Sequence, residues 1–399
     1  METNEKRDYQ QLDDRYYLPV FQRLPLTLVK GRGSHVWDDK GNEYIDVMAG
    51  IAVNSAGHCH PQIVEAIQQQ ASQLIHISNF FLSKPQALLA EKLAKITGME
   101  RVFLTNSGAE SNEGAIKLAR KHAHLNNRGG DIISFSGCFH GRTMATIATG
   151  KKQMQEGFEP IPGGFRQIAF NNLDEIENSI DQEVAAIIVE PVQGEGGIHV
   201  ADPAFLKKLR SICDRENVVL IFDEIQCGMG RTGHFFAKDH YGIQPDILTS
   251  AKALGGGMPI GAIVTNKKIS DVMEKGDHGT TFGGNPLAAS AALAAIAVIE
   301  EHGLMQQAHE KGEWMKKYIH DHEPEKYGIR EVRGLGLMIG VEFDFETKPL
   351  IQEMLNRGVL SNATAQNVLR FVPPLNIDYK DLEKALEVMY ESVKAVRKK

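Results

Sequence analysis

The stretches VVLIFDEIQ (218–226) and DILTSAKALGGG (246–257) each read as a short buried strand ending on a reactive side chain, Asp223 in the first and Lys252 in the second. Continuous apolar runs bounded by turn residues predict strands covered on both faces. Working outward, the same pattern recurs from about Arg101 onward in RVFL, DIISF, QIAF, VAAIIV and GAIV, with helical stretches such as ESNEGAIKLARKHA and PAFLKKLRSICDR between them. Seven runs alternating with helices predict an α/β fold, a mainly parallel, doubly wound seven-stranded sheet sandwiched by helices. Ligands then belong at the C-terminal ends of the strands, where Asp223 and Lys252 lie.

Before this region, VWDD and EYIDV flank the turn Lys40-Gly41-Asn42 as a hairpin, followed by helices at PQIVEAIQQQ and QALLAEKLAKI. After Asn285-Pro286 an alanine-rich helix, LAASAALAAIAVIEE, leads into a region where the strands IREVRG, LMIGVEF and VLRFVP mix with helices. The expected organisation is an N-terminal segment (1–60) packing with a small domain, a large domain (61–295) and a C-terminal small α+β domain (296–399). No repeat, low-complexity tract or long linker interrupts it, so tight packing of the parts is expected.

Composition excludes several partners. Of 399 residues, 42% are hydrophobic and 24% charged, and 44 Lys+Arg against 51 Asp+Glu give a net charge of −7. With no basic run beyond the VRKK tail, nucleic acid is not expected as a partner. The start METNEKRDYQQLDDRYY lacks a signal-peptide apolar region, and no stretch approaches the roughly 20 apolar residues of a membrane span. No membrane association and a cytoplasmic location are expected. Cys59, Cys138, Cys213 and Cys227 form no CxxC pair and read as reduced thiols.

The candidate chemistry collects at strand ends. In VFLTNSGAESNEGAIKLAR a strand runs into Ser107-Gly108-Ala109 and then a helix, leaving backbone N–H groups free at the helix start for an anion. Ser107 and Glu110 also fit a capping box, which accounts for the sequence equally well, and the two readings are compatible. Asp223 follows five apolar residues, so burial alone raises its pKa unless a cation such as a protonated ring nitrogen stands beside it. The bland reading is a loop acid satisfied by backbone amides. Glu224 points to the opposite side and is the weaker candidate, whereas Gln226 can donate to a phenolate-type oxygen. Lys252 at a buried strand end, followed by Gly255-Gly256-Gly257, can reach the depressed pKa that an imine-forming amine needs. A surface lysine is the ordinary alternative. The glycines match no G-x-x-x-x-G-K-[ST] phosphate loop. Together, a buried acid and an imine-forming lysine are what pyridoxal phosphate chemistry requires.

Arg142 in CFHGRT and Arg370 in NVLRFVPP suit bidentate clamping of carboxylates, although lone arginines are more often surface ion pairs. Phe139 can cover a planar ring, or simply belong to the core. His58, His60 and His140 match no metal-ligand spacing, and no metal is expected.

The segments LVKGRGSHVWDDKGNEYIDVMAGIAVNSAGHCHP, FLTNSGAESNEGAIKLAR, FHGRT, EPVQGEGG, IFDEIQCGMGRTG, AKALGGGMPIGA, TTFGGNPLA, VRGLGLMIGVE and LRFVPPL resemble, in order and spacing, the class III, fold type I, pyridoxal-phosphate-dependent aminotransferases. The resemblance covers nearly the whole chain. It implies that Lys252 holds the cofactor and moves the proton between substrate and cofactor carbons. Asp223 would pair with the ring nitrogen, Gln226 would contact the ring oxygen, and Ser107, Gly108 and Ala109 would bind the phosphate. Thr281 of a second copy would complete the phosphate site, making the unit a homodimer with interfacial active sites. Phe139 would stack on the ring.

For substrates, the resemblance implies small-molecule amines and 2-oxo acids. Transfer of the δ-amino group of N2-acetyl-L-ornithine to 2-oxoglutarate, a step of arginine biosynthesis, is expected; ornithine, succinylornithine and 4-aminobutyrate are the alternative donors. Arg142 would hold the donor carboxylate with Thr280 nearby, and Arg370 would receive the α-carboxylate of glutamate. Glu195 would neutralise Arg370 when an ω-amine occupies the site. A non-catalytic binding protein of the same fold is the other class, and intact Lys252, Asp223 and Arg370 argue against it. Two departures are slight: Ser111 stands where alanine is usual, and Gly114 within a helix costs roughly 1 kcal/mol relative to alanine.

Overall fold

The seven apolar runs form one sheet in the computed structural model, which describes residues 8–398; the first seven residues of the expected N-terminal segment, and Lys399 of the VRKK tail, lie outside the described residues. The strands are β1 (Arg101–Thr105), β2 (Asp131–Phe135), β3 (Phe165–Ile168), β4 (Val184–Val189), β5 (Val219–Asp223), β6 (Ile247–Ser250) and β7 (Gly261–Thr265). Their order is β1-β7-β6-β5-β4-β2-β3. All pairs from β6 through β5, β4 and β2 to β3 are parallel. Only β7 runs against both of its neighbours. Loop length explains the reversal, because a parallel crossover needs about a dozen residues or more and only residues 251–260 separate β6 from β7.

Strand β3 starts two residues before the expected QIAF run. Its extra residue Arg166 sits on a sheet edge, where it pairs with Asp131 at 2.6 Å and Asp181 at 2.7 Å, so a charge is tolerated in the strand. The central strands are buried along their whole length. Alternate residues serve opposite faces, as the two-residue period of a strand requires. Leu220 and Phe222 pack with Phe205, Leu209 and Ile212 of helix α2 (Pro203–Glu216), whereas Val219 and Ile221 pack with Ala115, Ile116 and Ala119 of helix α1 (Gly108–Leu125).

Helix α3 (Pro286–Glu301) buries Ala288, Ala289, Ala292 and Ala295, whose small side chains let it lie close against helices Pro61–Ala71 and Lys84–Thr97. It runs unbroken through residue 295, where the boundary of the large domain was expected. The first break comes at His302-Gly303, with Gly303 at φ +59°. Beyond it, β8 (Ile329–Leu335), β9 (Met338–Phe343), β10 (Asn362–Thr364) and β11 (Val368–Phe371) form an antiparallel sheet in the order β8-β9-β11-β10. The N-terminal strand Glu43–Asp46 pairs with Val359–Leu360 from this C-terminal region.

One buried cation ties the three regions together. Arg231, fully buried and without a carboxylate partner among the described residues, donates to the carbonyls of Leu337 (3.0 Å) and Pro373 (2.6 Å) and to Ser55 Oγ (3.0 Å). Burial lowers its pKa to about 9, which still leaves it charged at neutral pH. Among the described residues no single helix is long and apolar enough to cross a membrane.

Candidate active site

A cavity of about 460 Å³ opens beyond the C-terminal ends of β5 and β6, and both Asp223 and Lys252 face it. Asp223 is only 3% exposed. Its Oδ2 accepts from Asn112 Nδ2 at 2.8 Å and from His140 Nδ1 at 2.7 Å, while Oδ1 accepts only the Ile225 amide at 3.0 Å. Asn112 is itself oriented by the His140 carbonyl and by the Thr249 hydroxyl, each at 2.8 Å. Burial opposes a charge on His140, yet Cys138 and the Asp223 carboxylate outweigh it and hold its pKa well above the ordinary imidazole range. His140 Nε2 is buried with no hydrogen-bond partner.

Lys252 has φ +46°, a backbone region that a non-glycine residue rarely occupies and that clusters at functional sites. Burial lowers the pKa of its amine, with Glu195 pulling the other way. Across the cavity, Ser107 caps α1, its Oγ accepting the Glu110 amide at 3.2 Å. Glu110 reaches past Ser107 to the Asn106 amide at 2.8 Å, so half of the capping box forms and the amides of Gly108 and Ala109 have no helical acceptor. Ser107, Gly108 and Ala109 all line the cavity. The helix start is held close, since a Cβ on Gly108 would sit 2.8 Å from Ile225 Cδ1.

Phe139 also lines the cavity, and its amide donates to Glu190 Oε1 at 3.0 Å. The Arg142 guanidinium lies 5.4 Å from the Phe139 ring centroid; it is exposed and forms no salt bridge among the described residues. Arg370 behaves differently. It is fully buried, its NH1 pairs with Glu195 Oε1 at 2.5 Å and donates to Gln226 Oε1 at 3.1 Å, and its Nε donates to Asn362 Oδ1 at 3.3 Å. Arg370 NH2 has no partner. Burial raises the Glu195 pKa but the Arg370 guanidinium more than offsets it, so the net shift is downward and the pair is ionised. The Gln226 carbonyl is thus engaged by Arg370, which leaves its amide NH2 for the donation to a ring oxygen expected of this residue. A Cβ on Gly194 would fall 2.3 Å from Gln226 Oε1, so only glycine lets this side chain sit here.

Thr280 and Thr281 lie away from the wall of this cavity. Thr280 Oγ1 accepts from Asn106 Nδ2 at 3.0 Å, and Thr281 is exposed. Neighbouring side chains are apolar and uncovered: Phe80 is 95% exposed, Leu82 100% and Phe282 58%. Asn79 links the two segments through the Thr280 carbonyl at 2.9 Å.

Three side chains escaped the sequence reading. Glu190 comes directly after the buried strand β4, much as Asp223 ends β5, and the same strand-end signal finds it. Its Oε1 and Oε2 accept the Phe139 and Gly194 amides, and burial pushes its pKa up to about 7. Asn112 stands four residues after Gly108 on the same face of α1, a spacing visible in the sequence. His140 was weighed only as a metal ligand. Among the described residues no group of three potential ligands could hold a metal; His58 Nε2 instead bonds Asp46 at 2.7 Å. Glu224, pushed up to about 8 by burial, faces away and accepts the Ala237 and Lys238 amides.

The arrangement fits a planar, cationic heteroaromatic group with a phosphate tail. A buried carboxylate with one oxygen lightly used, a depressed lysine amine and an uncapped pair of helix-start amides all face one cavity. The profile of the family described as Aminotransferase class-III matches residues 17–393. The acetylornithine aminotransferase of Methanocaldococcus jannaschii is 51% identical over 391 residues, covering 97% of this chain and 98% of that one. Among solved structures, an ornithine aminotransferase from Toxoplasma gondii, described with partial occupancy of PLP at its active site, has a TM-score of 0.94 at 34% identity and covers 98% of this chain and 94% of that one. The N-acetylornithine aminotransferase of Stenotrophomonas maltophilia has a TM-score of 0.84 at 38% identity, covering 97% of this chain and 98% of that one.

Proposed function

The chain belongs to the class-III aminotransferases, and from that premise we propose that it moves the δ-amino group of N2-acetyl-L-ornithine to 2-oxoglutarate, giving N-acetylglutamate 5-semialdehyde and glutamate in arginine biosynthesis. The enzyme is a pyridoxal-phosphate-dependent transaminase. One observation carries the substrate reading: two arginines of opposite character stand at the site, Arg142 exposed on the cavity wall without a salt bridge among the described residues, and Arg370 buried behind Glu195, which lines the cavity and masks it. A donor with one carboxylate needs only the first. Glutamate and 2-oxoglutarate, with two, need both.

When bound, pyridoxal phosphate supplies an electron sink and carries the amino group between the two substrates. Asp223 holds the ring nitrogen, with Asn112 and His140 fixing the carboxylate that does so. Ser107, Gly108 and Ala109 hold the phosphate, Phe139 covers one ring face, and the Gln226 amide donates to the ring oxygen. Lys252 Nζ would move the proton between the reacting carbon of each substrate and the cofactor carbon, in opposite directions in the two half-reactions. Arg142 clamps the acetylornithine carboxylate, with Thr280 nearby, far from the amine that reacts. Glu195 leaves Arg370 to admit the α-carboxylate of glutamate.

Thr281 serves the phosphate site of a second copy, and the active unit is a homodimer. Phe80, Leu82 and Phe282 support this, because large apolar side chains so exposed, on segments joined by the Asn79–Thr280 hydrogen bond, are what a partner surface covers. Four unpaired cysteines, three of them buried, fit a reducing compartment, and we infer that the enzyme works in the cytoplasm.

Arg370→Ala tests the substrate reading. Loss of charged hydrogen bonds to a carboxylate should weaken the glutamate half-reaction about 10²-fold, measured as single-turnover consumption of the lysine-bound cofactor's visible absorbance. The acetylornithine half-reaction should change far less. Equal losses in the two would refute the switch.

A further inference from the structure

The strand β10 contributes two side chains to the Glu195–Arg370 pair, one for each member. Asn362 is the cross-strand register partner of Arg370, so the two side chains share a face of the sheet. Its Oδ1 accepts from Arg370 Nε at 3.3 Å. Two residues on, and so on the same face, Thr364 Oγ1 donates to the main-chain carbonyl of Glu195 at 2.5 Å.

The two members differ in freedom. Arg370 is fully buried, gripped by Asn362 on Nε and by Gln226 on NH1, and both grips come from neutral amides that remain when Glu195 departs. The Glu195 side chain is 33% exposed, and it borders a second cavity of about 1060 Å³ that also touches Asn362, Thr364 and Arg142. Its backbone is tethered at the carbonyl by Thr364, while its carboxylate has open space to enter. A guanidinium held by neutral acceptors keeps its full charge, and one held at two of its nitrogens keeps its plane.

We propose that the strand Asn362–Thr364 is the fixed frame of the substrate switch: Asn362 locks the guanidinium of Arg370, Thr364 pins the backbone of Glu195, and the Glu195 carboxylate is the only moving part. Asn362 and Thr364 are positioning residues that set the preference between a one-carboxylate and a two-carboxylate substrate. The inference rests on the switch reading of Glu195 and Arg370. A neutral residue is required at 362, because an acid there would mask Arg370 permanently and do without release what Glu195 does reversibly.

The test uses the holoenzyme and glutarate, a non-reactive dicarboxylate of the length of 2-oxoglutarate, with binding measured by calorimetry beside both half-reactions. Asn362→Asp should raise the glutarate Kd roughly 30-fold or more, by adding a fixed charge at a buried cation, and should change the acetylornithine half-reaction far less. Thr364→Val, which only loosens Glu195, should act with the opposite sign: a glutarate Kd lowered about threefold and an acetylornithine KM raised by a similar factor, as expected for one lost hydrogen bond. Unchanged glutarate binding in Asn362→Asp, or equal losses in both half-reactions, overturns the frame. Arg370→Ala run in parallel separates the two failures: if it too leaves glutarate binding unchanged, the switch itself is wrong, and if it alone weakens binding, the switch stands and the frame falls.

Discussion

Lys252→Ala is expected to lower transamination by about 10⁴-fold or more, at the upper end of what one positioned proton-transfer group contributes. Two functions are lost together, the amine that holds the cofactor and the base that moves the proton. The residue is unusual in three ways: it lies two residues past the buried strand β6, its pKa is lowered by burial, and its backbone sits at φ +46°. Alanine tolerates that backbone no better than lysine does, so a folding defect is not introduced by conformation alone. Protein treated with borohydride in the presence of pyridoxal phosphate should carry the cofactor mass on the peptide containing residue 252 in the wild type and on no peptide in the variant. Activity within tenfold of wild type, or labelling at another lysine, would refute the role.

Asp223→Asn should reduce kcat about 10³-fold, the scale for removing a preorganised charge from a dry site. The substitution preserves shape, removes the negative charge and replaces the oxygen that accepts the Ile225 amide with an NH2 that cannot accept it. One oxygen of Asp223 now accepts from both Asn112 and His140, and an asparagine carbonyl can still accept both, so the fold should survive. What disappears is the counter-charge to a ring nitrogen and to His140. Burial by itself lowers the pKa of His140, and without the carboxylate its value should fall, with Cys138 left to raise it. NMR titration of the His140 ring reads this without any cofactor present. A variant that keeps its activity but loses the raised His140 value would mean that Asp223 serves His140 alone.

Much of the sheet was legible because VVLIF and VAAIIV are buried at every position, a pattern that only a strand covered on both faces produces. Direction was less legible. The run GAIV looks the same whichever way β7 points, and only the shortness of residues 251–260 betrays its reversal. QIAF misled for another reason: edge strands admit charge, so the true β3 begins at Phe165-Arg166, outside the apolar run. The turn at Ala49–Ala52 was invisible, since Ala49, Ile51 and Ala52 adopt positive φ although none is glycine.

Within the candidate site, residues that touch the cavity through their own side chains at strand ends or helix starts were readable one at a time. Residues that act through others were not. Asn362 and Thr364 matter because of what they hold, and their partners lie up to 169 positions away, as with Thr364 and Glu195. Only register and topology bring such pairs together.

The most direct test of the account is a single-turnover comparison of amine donors on the holoenzyme, following loss of the visible absorbance of the lysine-bound cofactor and identifying the product by mass spectrometry. N2-acetyl-L-ornithine should discharge the absorbance fastest and yield one equivalent of N-acetylglutamate 5-semialdehyde, with ornithine and 4-aminobutyrate slower. An enzyme silent toward acetylornithine but discharged by 4-aminobutyrate or ornithine would contradict it.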